Sequence, residues 1–122
     1  MPAPVGPYSP FARAGDLVVT SGQLGLAEGD NGRPALVGPA TADQLAQALR
    51  NGEAVLASAG LDKGDVVKAT LFLVDMADFA ACNEVWIEFF GDHRPARTAI
   101  GVAALPLNAR IEVELWACSA DA

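Results

Sequence analysis

The chain has 122 residues, 52% hydrophobic and 19% charged, with eight basic against fifteen acidic residues and a formal net charge of −7. That length fits one domain over residues 1–122, and the apolar fraction suggests a well-filled core and a buried subunit interface. The acidic balance argues against a nucleic-acid binder and against an anionic membrane surface, both of which draw on cationic contacts.

The start, MPAPVGPYSP, carries four prolines and no basic segment ahead of an apolar stretch, so no targeting segment is expected. No apolar run approaches the roughly 18 residues that span a bilayer. Residues 17–26, LVVTSGQLGL, form a β-branched run closed by glycines. They read as a strand, the second arm of a hairpin turning at Ala14, Gly15 and Asp16. Residues 27–34 read as a polar loop, followed by a short strand at Ala35 to Val37. Thr41 with Gln44 three positions on has the form of a capping box, and Leu45, Leu49, Val55, Leu56 and Ala59 continue as a helical stripe. Gly60 suits the position just past the end of such a helix.

Residues 65–74, DVVKATLFLV, read as a strand. A second helix starts near Asp75 or Asp78 and stops at Gly91. Its apolar stripe is Phe79, Cys82, Trp86, Phe89 and Phe90, and Asn83 lies on the same stripe. An inward amide must be hydrogen-bonded, so Asn83 either bonds a neighbouring loop or shapes a site. Two strands, 97–104 and 110–118, close the chain. The order ββ(β)αβαββ predicts an α+β domain with two helices on one face of a single sheet, and an uncovered face buried against other subunits.

Several chemistries lack their residues. There is one histidine, His93, and no GxSxG, Walker A or GxGxxG motif. The loop holding Glu28 and Asp30 would repel phosphate and does not have EF-hand spacing. Cys82 and Cys118 form no CxxC and read as two buried, reduced thiols of a cytoplasmic protein. Two constellations stand out. In residues 97–104, alternation places Thr98, Ile100, Val102 and Ala104 on one face, which suits a core. Arg97, Ala99, Gly101 and Ala103 fall on the other. Arg97 is then either a plain surface charge or an anion anchor on a floor of small side chains. In residues 110–117, Arg110, Glu112, Glu114 and Trp116 share a face. A carboxyl beside apolar surface gains a raised pKa suited to proton transfer, and the spacing does not say which glutamate matters.

The segments VGPYSP (5–10), VTSGQLGL (19–26), GLDKGDVVKATLFLVDMADFAACNEVW (60–86), RPARTAIGVAALP (94–106) and IEVELWA (111–117) resemble the RidA (YjgF-type) family. The resemblance runs from about Val5 to Cys118. It implies a chorismate-mutase-like α+β fold with a mixed sheet, assembled as a homotrimer with sites between subunits. It also implies hydrolysis of reactive enamines and imines, of the 2-aminoacrylate or 2-imino-acid type, to 2-keto acids and ammonia, with no cofactor or metal. Family positions map onto Tyr8, Ser21, Gly22 and Asn83 as substrate-binding residues. Arg97 would hold the substrate carboxylate and Glu112 would position or activate water. Archetypal members carry cysteine where this chain has Ala99 and glutamate where it has Gly101, which bears on substrate preference. The competing readings are a non-catalytic trimeric module for small carboxylates and an endoribonuclease or translation inhibitor.

A hairpin of the last two strands turning near residue 107 would set Arg97 opposite roughly residue 117, about 16 Å along the strand from Glu112. The two could then share a site only across two chains.

Overall fold

A computed structural model describes residue 4 and residues 6–119. The expected domain limits at residues 1 and 122, and Val5 of the first matching segment, lie outside the described residues. The chain opens with β1 (Phe11–Ala14) and β2 (Leu17–Thr20), an antiparallel hairpin whose turn uses Gly15 at φ +60°. The expected strand over 17–26 is broken after Thr20. A single bridge joins Gln23 to Val113 of β7 (Ile111–Cys118) before β3 (Leu26–Glu28) begins. β3 pairs with β4 (Pro34–Leu36) in a small separate sheet. α1 (Thr41–Ser58), β5 (Val66–Leu73), α2 (Phe79–Phe90) and β6 (Ala96–Gly101) complete the fold.

The main sheet has the order β1-β2-β7-β5-β6. β5 and β6 run parallel because α2 carries the chain back between them, while the other neighbours are antiparallel. The closing strands therefore do not form the expected hairpin, since β5 lies between them. The register puts Arg97 level with Ala69 and Leu115, and Glu112 level with Phe72.

The core lies between the sheet and the two helices. Val66, Ala69, Leu71 and Leu73 of β5 and Ile111, Val113, Leu115 and Ala117 of β7 are buried against Leu45, Leu49 and Leu56 of α1 and Cys82, Trp86 and Phe90 of α2. Arg97, Ala99 and Gly101 are level with Ala69, Leu71 and Leu73, so they face the helices. Thr98 and Ile100 lie on the helix-free face with Thr70 and Phe72. This reverses the expected facing of β6, and the cause is steric. The small residues let the 3-10 turn at Met76–Asp78 close over the strand, where a side chain on Gly101 would start 3.3 Å from Met76 Cγ.

α1 ends as expected. Gly60 adopts φ +80°, Leu61 N–H donates to Leu56 O (2.9 Å) and Gly60 N–H to Ala57 O (3.0 Å), a Schellman motif. Its start differs. Thr41 is the first helical residue after Ala40, and the capping box with Gln44 does not form. Buried Gln44 instead donates from Nε2 to Gly38 O (2.7 Å). Close helix–sheet packing requires glycine at position 52, where a Cβ would come within 2.7 Å of Leu115 Cδ1. Cys82 is buried and Cys118 only half-buried, and both thiols are free.

Candidate functional site

The residues singled out from the sequence fall into two groups. The first lines a cleft of about 60 Å³ that includes Tyr8, Ser21, Gly22, Asn51, Pro106 and Glu112. That volume holds a handful of water-sized groups, at about 15 Å³ each. The segment after β2 is tied on both sides. Ser21 donates from Oγ to Ser9 O (2.6 Å) and from its backbone N–H to Pro10 O (2.9 Å). Gln23 exchanges backbone bonds with Val113 at 2.7 and 3.0 Å. These ties press Gly22 against Glu112, where a Cβ would stand 2.7 Å from Glu112 Cδ. With any side chain at position 22 the Glu112 carboxyl would have to move.

Glu112 alternates away from buried Ile111 and Val113 and is half-buried. Burial pushes its carboxyl above the ordinary glutamate range, and the neighbouring charge of Glu114 adds to this. Strand alternation left the two glutamates equivalent while the resemblance pointed to Glu112, and of the two it is Glu112 that lines the cleft. Tyr8 stands at the rim with its ring exposed. Asn51 of α1 was not anticipated. It donates from Nδ2 to Leu24 O (3.1 Å) and Leu26 O (2.8 Å), and accepts from Gln47 Nε2 (2.9 Å), fixing the cleft wall. A buried amide between Leu49 and Val55 was the available signal.

The second group surrounds Arg97. Its Nη2 donates to Asn83 Oδ1 at 2.7 Å. Its guanidinium carbon lies 5.2 Å from the Phe79 ring centre and 5.1 Å from that of Trp86. The inward amide of Asn83 thus bonds the arginine rather than a loop. Two π-faces stabilise the cation, and Asn83 fixes one edge of its planar fork. Among the described residues no carboxylate pairs with Arg97; the ion pairs there belong to Arg110. The remaining N–H groups are suited to a carboxylate from outside the chain.

Within one chain these groups do not meet. Arg97 faces the helices and Glu112 the opposite side of the sheet. Their rows differ by three residues and two strands, roughly 10 Å along and 10 Å across. The β6–β7 hairpin from which a cross-chain site was expected does not form; within one chain the two residues are instead kept apart by lying on opposite faces of the sheet. The other titratable candidates are structural. His93 Nε2 lies 2.7 Å from Val66 O, and burial, followed by the charge of Asp78, pushes the Cys82 thiol up and keeps it unreactive.

No helix among the described residues is long and apolar enough to cross a membrane. The family model described as Endoribonuclease L-PSP matches residues 1–119. The chain is 42% identical over 113 residues to the 2-iminobutanoate/2-iminopropanoate deaminase of Dermatophagoides farinae, covering 93% of this chain and 86% of that one. It is 44% identical over 113 residues to the chloroplastic Reactive Intermediate Deaminase A of Arabidopsis thaliana, covering 93% of this chain and 59% of that one. Among solved structures, Escherichia coli TdcF with bound serine superposes with a TM-score of 0.85 at 36% identity, over 97% of this chain and 91% of that one.

Proposed function

The chain belongs to the endoribonuclease L-PSP family, the RidA family, and on that premise we propose that it hydrolyses reactive enamine and 2-imino-acid intermediates to 2-keto acids and ammonia. One observation carries the reading: a half-buried guanidinium, clamped by Asn83 between two aromatic rings, with no carboxylate of its own chain among the described residues. A small 2-imino acid supplies that carboxylate.

The imine carbon then needs water and a proton. Arg97 holds the carboxylate through its free N–H groups and orients the imine carbon. Glu112, supplied by a neighbouring protomer, accepts a hydrogen bond from the attacking water, and burial, which raises its carboxyl above the ordinary glutamate range, suits it to proton transfer. Water adds across the C=N bond, one proton goes to nitrogen, and the resulting carbinolamine expels ammonia to leave the C=O group. Enamine substrates first take a proton on carbon and enter as the imine. Water is the nucleophile, so alanine at position 99 is compatible with turnover.

The assembly that fits is a homotrimer, each cleft pairing Glu112 of one protomer with Arg97 of the next. The helix-free sheet face supports it. Trp116 is 40% and Ile100 42% exposed there, large apolar side chains among polar and charged neighbours, suited to burial between copies. The charge of −7 and single histidine favour this reading over a nuclease. The test is turnover of imines generated in situ by an amino-acid oxidase, with keto-acid release followed. Carboxylate binding without accelerated release would point instead to the non-catalytic module.

A further inference from the structure

Both helices begin without a side-chain cap, although each has a capping residue at hand. Thr41 stands in the first turn of α1 and Asp78 at the N-cap of α2, yet neither caps its own helix. Such caps ordinarily stabilise a helix, so withholding both needs a reason. The two side chains meet each other. Thr41 Oγ1 donates to Asp78 Oδ2 at 2.6 Å and accepts from Arg110 Nε at 2.9 Å. Arg110 Nη2 donates to the same Asp78 oxygen at 2.9 Å, with Asp75 3.8 Å away.

The backbone of Arg110 is held as well. Its N–H donates to Gln44 Oε1 (2.8 Å) and its carbonyl accepts from Val74 N–H (3.2 Å). Hydrogen bonds from Thr41 and then Arg110 hold the Asp78 carboxyl below its ordinary range, so it stays ionised at neutral pH. The start of β7 is thereby locked to the first turns of both helices.

We propose that Thr41, Asp78 and Arg110 are positioning residues that set Glu112, two residues past Arg110 in β7, relative to Asn83, on α2 five residues past Asp78, and to Arg97 of β6, which Asn83 holds. The inference rests on reading those residues as the two halves of a divided site. Each protomer lends its halves to different clefts, so a tilt of β7 against α2 misaligns two clefts at once. Displacements near 1 Å can cost about a hundredfold in rate.

The test compares Arg110→Met, Arg110→Lys, Thr41→Val and Asp78→Asn in the full chain. Melting, assembly and imine turnover are measured together, and the Glu112 carboxyl is titrated by NMR. Arg110→Met and Thr41→Val are expected to lower kcat by about tenfold or more well below their melting temperatures. KM should change less than about threefold, because the clamp at Arg97 is untouched. Arg110→Lys, which keeps the ion pair with Asp78, should recover most of the rate. The Glu112 midpoint should fall toward the ordinary range as its surroundings loosen, a change visible without turnover. Variants that assemble, run at the wild-type kcat and keep the Glu112 midpoint would overturn the proposal. So would loss of the fold in all of them, which would assign the brace to stability alone. A wild-type chain that turns over no imine overturns the functional reading instead, and the NMR midpoint still decides the brace.

Discussion

Mixing two inactive variants tests the divided site directly. Arg97→Ala removes the carboxylate clamp. Losing a charged, hydrogen-bonded partner costs on the order of 2–5 kcal/mol, which is roughly thirtyfold to a few thousandfold in affinity. Glu112→Gln keeps the volume beside Gly22 but removes proton transfer, so substrate should still bind while hydrolysis slows. In the proposed ring of three protomers, each cleft would take Glu112 from one and Arg97 from the next. Random co-refolding of equal amounts then gives about one quarter pure, dead rings and about three quarters mixed rings. Each mixed ring, whichever variant is in excess, has about one whole cleft in three, so about a quarter of wild-type activity should return. The two variants are unfolded and refolded together, ring composition is read by native mass spectrometry, and keto-acid release is measured. Mixed rings as inactive as their parents would place both residues in one protomer's cleft and refute the division across the sheet.

Three further outcomes follow from the same geometry. Glu112 is raised chiefly by burial, so its favourable contribution is complete below the ordinary glutamate pKa and lost as pH rises through the raised value. Glu112→Gln should therefore melt above wild type at about pH 8 and converge with it toward about pH 4; a constant difference across that range would contradict the burial argument. Gly22→Ala puts a Cβ 2.7 Å from Glu112 Cδ; displacing the carboxyl should lower kcat by at least about tenfold while overpacking costs roughly 1–3 kcal/mol in denaturant unfolding, and unchanged turnover would mean that Glu112 need not stand where it does. Replacing Cys82 with alanine and Cys118 with serine together should leave imine hydrolysis within a few fold; a large loss with circular dichroism unchanged would show thiol chemistry that the structure does not suggest.

What could be read from the sequence was local. The stripe of α1, the stops at Gly60 and Gly91 and the β-branched run of β5 each depend on neighbours within a few residues, and each stands in the structure. Thr41 was misread because its hydroxyl partners lie 37 and 69 positions away, beyond any capping pattern. Alternation divided β6 correctly into two rows. It could not say which row met the helices, because small residues beside an arginine suit close packing under a helix as well as an open floor. The pairing of β7 with β2 and β5 is non-local, so a hairpin with β6 was the economical but wrong choice. The resemblance supplied Tyr8, Ser21 and Gly22, which no periodicity would have grouped with Glu112, while Asn51 entered only with the folded chain.

The central place of β7 also has a consequence for how the chain folds. The β1–β2 hairpin and the β5–α2–β6 unit share no strand pairing until β7 slots between them. Completion of the sheet therefore requires contacts between segments almost a hundred positions apart, such as Val18 with Ala117, and such long loops close slowly. Until then two sheet edges stand bare, the state in which chains most readily aggregate. The strand that seals those edges is the one that carries Glu112. A half-folded chain therefore cannot hold the Glu112 carboxyl in place, and on the proposed function competence for chemistry would arrive only with the completed sheet.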